Sequence, residues 1–69
     1  MLANRVLLPF NKILFDDIFI SQYKIEANEI LEVLNGDRSE IYNWHYNKEL
    51  GILNVTGNEN IIYVKINID

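Results

Sequence analysis

His45 is the only histidine in the chain, and it lies in the run Trp44-His45-Tyr46 with Asn43 and Asn47 on either side. An imidazole acts as a general acid or base only with a carboxylate or nucleophile within hydrogen-bond reach. If the run is a strand, His45 faces away from Trp44 and shares its side with Asn43 and Asn47, so a solvated or partly buried sheet-face histidine is the expectation. A zinc site would need further imidazole or thiolate ligands, and the chain has no cysteine. Asp16 and Asp17 offer the hard oxygens that Mg²⁺ takes. Adjacent residues on a strand point to opposite faces, however, so a turn or bulge is the simpler role for the pair. The two serines read as structural: Ser21 as a helix N-cap, Ser39 as a turn residue after Asp37 and Arg38. Gly36, Gly51 and Gly57 stand alone, which leaves no glycine-rich cradle for a phosphate. A minimal enzyme would have to draw on Asp16, Asp17 or His45. The residue set predicts no self-contained catalysis, no metal and no cofactor.

Tyr42, Trp44 and Tyr46 form the most unusual local pattern, because alternate positions on a strand put three large rings on one face. Packing into the core is one reading. The other is a stacking platform on which these rings, with Arg38 of a neighbouring subunit, enclose a small nucleotide-like ligand in a homo-oligomer.

The elements that would carry these groups follow from hydrophobic period. Over 22–35, Tyr23, Ala27, Ile30, Leu31 and Leu34 recur at i, i+4, i+7, i+8 and i+11, the stripe of an amphipathic helix. Gln22, Glu26, Glu29 and Glu32 fill its other face, and Gly36 suits the left-handed position that ends a helix. Beyond Gly36 the period becomes two. Tyr42, Trp44 and Tyr46, then Leu53 and Val55, then Ile62, Val64, Ile66 and Ile68 predict three strands in an antiparallel meander. Before the helix, Pro9 suits the second position of a turn and separates a strand over 5–8 from another over 13–20, bulged at the aspartates. The expected fold is α+β in the order ββαβββ, a small antiparallel sheet with Leu31 and Leu34 packed on its Trp44 face.

Sixty-nine residues allow a single domain over 1–69, and a chain this short buries only about 60% of its unfolded surface. Without disulfides such a domain gains from oligomerisation, and the lack of cysteine suits a reducing, cytoplasmic setting. Arg5, Pro9, Asn11 and Lys12 interrupt the early apolar residues, so no membrane span is expected. Ten acidic against six basic residues give a net charge of -4. The basic side chains are scattered, which disfavours duplex nucleic acid and favours a protein partner with a basic surface. Glu26, Glu29 and Glu32 at i, i+3 and i+6, with Asp37 and Glu40 beyond the helix end, would form an acidic strip for that partner. The functional expectation is a small module that masks another protein's surface, in the manner of an antitoxin, an immunity protein or a phage anti-defence inhibitor. Self-association is expected through the last strand, read as an unprotected edge, or through a sheet face carrying Ile41, Ile52, Ile61, Tyr63 and Lys65.

Overall fold

The computed structural model describes residues 5–13, 20–57 and 60–68. They form β1 (Arg5–Asn11), β2 (Ile20–Lys24), β3 (Glu29–Leu34), β4 (Glu40–Ile41), β5 (Trp44–Asn47), β6 (Ile52–Thr56) and β7 (Ile61–Asn67), with no helix among the described residues. A four-stranded sheet has the order β1-β7-β3-β4, and a three-stranded sheet the order β2-β6-β5. Every pairing is antiparallel. The α+β expectation is therefore corrected to an all-β architecture.

The core forms where the alternating residues of the two sheets meet. Tyr23 and Ile25 from one end, Leu53 and Val55 of β6, Ile30 and Val33 of β3, and Ile62, Val64 and Ile66 of β7 make one buried cluster. Phe10, Ala27, Ile41, Trp44 and Tyr46 pack against it. Burial of this apolar surface is the main stabilising term available to a chain without disulfides.

Residues 22–35 imitate a helix for two local reasons. First, the segment is split between sheets. The Ile25 N-H bonds the Gly51 carbonyl at 2.8 Å, extending the β2–β6 ladder, whereas the Asn28 N-H bonds Asn67 O of β7 at 2.8 Å. The corner between them is clamped by Tyr46, whose hydroxyl donates to the Ile25 carbonyl at 2.8 Å and accepts the Ala27 N-H at 3.2 Å. Second, β3 carries a bulge. Ile30 pairs with Ile66 and Glu32 with Lys65, so Leu31 is an extra residue and the inward positions Ile30 and Val33 fall three apart. Three is a helical spacing. Ile25, which lies off the expected stripe, is 1% exposed, whereas Leu31 and Leu34 are only half-buried and Leu34 faces outward.

Other corrections follow from the same topology. Ser21 caps no helix. It is buried in β2, where its Oγ donates to the Gly57 carbonyl at 2.8 Å. Pro9 does not turn the chain, because β1 runs through it to Asn11 along an outer edge where a missing N-H is tolerated. The last strand is no edge, since β7 lies between β1 and β3. The meander holds only for β5 and β6, and β7 crosses to the other sheet. The expected strand over 13–20, with Asp16 and Asp17, lies almost wholly outside the described residues.

Candidate functional site

The outer face of the four-stranded sheet gathers most of the side chains singled out above. Register places Leu7, Lys65 and Glu32 in one row across β1, β7 and β3, and Pro9, Tyr63, Leu34 and Glu40 in the next, which reaches β4. Arg5, Asn67 and Glu29 make a third row, and Asn11 lies beside Ile61. The Leu31 bulge sets this pattern: it turns both Glu29 and Glu32 outward, where uninterrupted alternation would have sent Glu32 into the core. Leu7, on the edge strand β1, and Ile61, at the start of β7, are 41% and 46% exposed on this face. Glu29, Glu32 and Glu40 line one side, and Arg5 and Lys65 lie towards the other.

The turn from β3 to β4 flanks the acidic side. The Asp37 carboxylate accepts hydrogen bonds from the Ser39 hydroxyl at 2.6 Å and the Ser39 N-H at 2.9 Å. These bonds hold its pKa below the ordinary value. Arg38 takes a left-handed φ of 73°, and its guanidinium lies 4.3 Å from the centre of the Tyr63 ring. That contact spends Arg38 and one face of Tyr63 within the molecule. Beyond the turn, the Tyr42 hydroxyl donates to Glu40 Oε1 at 3.3 Å. The negative charge of Glu40 raises the Tyr42 pKa.

Not every predicted residue joins this face. Glu26 lines an open depression of about 260 Å³ at the corner, with Lys24, Tyr46, Lys48 and Leu50. Both lysines there bond protein acceptors: Lys24 Nζ donates to the Leu50 carbonyl at 2.7 Å, and Lys48 Nζ to Asn28 Oδ1 at 2.8 Å. The helical strip is thus replaced by Glu29, Glu32 and Glu40 on a sheet, with Asp37 beside them and Glu26 apart. The expected self-association face is also divided. Ile61, Tyr63 and Lys65 are on the outer face just described, Ile52 is on the outer face of the other sheet, and Ile41 packs on the core.

The three rings do not line up on an accessible face. Trp44 and Tyr46 pair with Val55 and Leu53 and turn inward, while Tyr42 precedes β5 and is 77% exposed. His45 is exposed on the outer face of the three-stranded sheet, opposite Asn54. It borders an open depression of about 390 Å³ together with Ile20, Asn43, Trp44, Asn54 and Thr56. That lining holds no carboxylate to orient the imidazole. Among the described residues no group of His, Asp and Glu could hold a metal ion, and no helix is long and apolar enough to cross a membrane.

Sequence reasoning missed Leu7 as a member of the face. The signal was Pro9, which belongs on an edge strand and could have extended β1 past residue 8. Comparison of the chain with protein families, curated proteins and solved structures finds no match.

Proposed function

We propose that the protein is a small binding module of the cytoplasm that acts by covering a basic surface of another protein through the outer face of its four-stranded sheet. One observation carries the reading: the bulge at Leu31 brings Glu29 and Glu32 out beside Glu40, on the same sheet face as the exposed Leu7 and Ile61. Exposed apolar side chains among charged ones are ordinary content of a protein contact. The acidic side would speed encounter with a positively charged partner and compete with phosphates for it. A masking role of this kind suits an antitoxin, an immunity protein or a phage anti-defence inhibitor, and it needs no catalytic group. The test is affinity recovery from the native host with the wild type and the triple variant Glu29→Gln, Glu32→Gln, Glu40→Gln. The wild type should retain a basic protein at low salt and release it as salt rises. The variant should melt like the wild type and retain far less. Equal recovery by both would remove the acidic side from the mechanism.

A further inference from the structure

We infer that β1 is a self-pairing edge, and that two copies of the chain join along it as a two-fold dimer with one continuous sheet. The inference does not depend on the proposed partner face. The Lys12 N-H bonds the Asn60 carbonyl at 2.8 Å, in line with the β1–β7 register. Hydrogen-bonded pairs alternate along an antiparallel ladder, so Val6, Leu8 and Phe10 turn their main-chain groups towards β7. Arg5, Leu7, Pro9 and Asn11 turn theirs outward, where no described strand lies along them. Pro9 therefore costs the β7 ladder nothing.

The side chains of β1 also want cover. Val6 and Leu8 lie opposite Ile66 and Val64, which point into the core, yet they are 37% and 41% exposed. Both lie on an outermost strand of the four-stranded sheet. Leu7, on the other face, is 41% exposed. Three consecutive exposed apolar residues on an outer edge invite a strand.

The polarity of the strand selects a second copy as that strand. Arg5–Asn11 reads Arg-Val-Leu-Leu-Pro-Phe-Asn. Turned end over end about Leu8, it sets Arg5 against Asn11, Val6 against Phe10, Leu7 against Pro9 and Leu8 against itself. Polar meets polar, apolar meets apolar, and the two Arg5 charges sit at opposite ends. This self-complementarity is what an isologous interface requires, and it closes at two copies because each β1 is used once. Each Pro9 removes one donor from the new ladder and leaves the other outward groups paired. Leu8 falls at a wide, non-hydrogen-bonded position on the axis.

Because the chain has no cysteine, single-cysteine variants read the register directly. At a wide antiparallel pair the Cα atoms lie about 4.5 Å apart, inside the span a disulfide bridges. Leu8→Cys should therefore oxidise to a covalent dimer as the main product. Leu7→Cys starts from the same 41% exposure. Its two copies would be offset along the strands beyond disulfide reach, so it should stay largely uncrosslinked. In sedimentation the wild type should run at twice the 8.1 kDa chain mass. Leu8→Lys, which sets two ammonium groups face to face on the axis, should run as a monomer with its thermal unfolding retained. A wild type that sediments as a monomer at tens of micromolar, or equal crosslinking of the Leu7 and Leu8 variants, would overturn the inference.

Discussion

Tyr46 holds two sheets to one chain corner through a single oxygen, which is donor to Ile25 and acceptor from Ala27. Removing that oxygen would leave the corner's backbone groups without their partner, at a cost of about 1–3 kcal/mol for half-buried groups. Tyr46→Phe should lower the urea midpoint accordingly while keeping the ring in the core; no change in midpoint would show that water replaces the hydroxyl without loss. Asp37 offers a second test, of sign. A carboxylate whose pKa is lowered by folding stabilises above its unfolded value of 3.8, and that contribution is lost as pH falls through the lower folded value. Titration of Asp37 by NMR should give a midpoint below 3.8 in the wild type, and one nearer 3.8 in Ser39→Ala.

The elements differ in how plainly the chain announces them. β6 and β7 were legible because Leu53 and Val55, then Ile62, Val64 and Ile66, alternate without interruption and are all buried. β2 and β3 were not, because a corner at 25–28 and a bulge at Leu31 turn a period of two into spacings of three and four. Glu29 and Glu32 could be seen to share an outward side, but the surface carrying them could not be inferred without the bulge. Pairing partners were illegible as well: nothing local to β7 tells that it lies between β1 and β3. Gly51 marks an element boundary where side chains are excluded. Its φ is +68°, and an added Cβ would come within 3.1 Å of Lys24 Nζ and 3.2 Å of the Ile25 carbonyl. Gly51→Ala should therefore destabilise by more than about 1 kcal/mol in a urea titration, and a neutral result would mean that the β5–β6 turn relaxes.

At the scale of the whole molecule, a 69-residue chain has a total stability of about 3–10 kcal/mol, so one core truncation is decisive. Leu53 is fully buried between β2 and β5, and Leu53→Ala should cost about 2–5 kcal/mol. Leu31→Ala, at a half-buried bulge position, should cost clearly less; the opposite order would restore the helical reading of that segment. The division of labour between the two outer faces is the central claim, and it separates the face of the four-stranded sheet, with Glu29, Glu32 and Glu40 beside Leu7 and Ile61, from that of the three-stranded sheet, with Gln22, Asn54 and His45 beside Ile20 and Ile52. Its most direct test is a residue-resolved NMR map of the labelled protein with the partner recovered from the host. The amide signals of Glu32, Leu34, Glu40, Ile61 and Tyr63 should move while those of Gln22, His45 and Asn54 stay in place, and the reverse pattern would contradict the account.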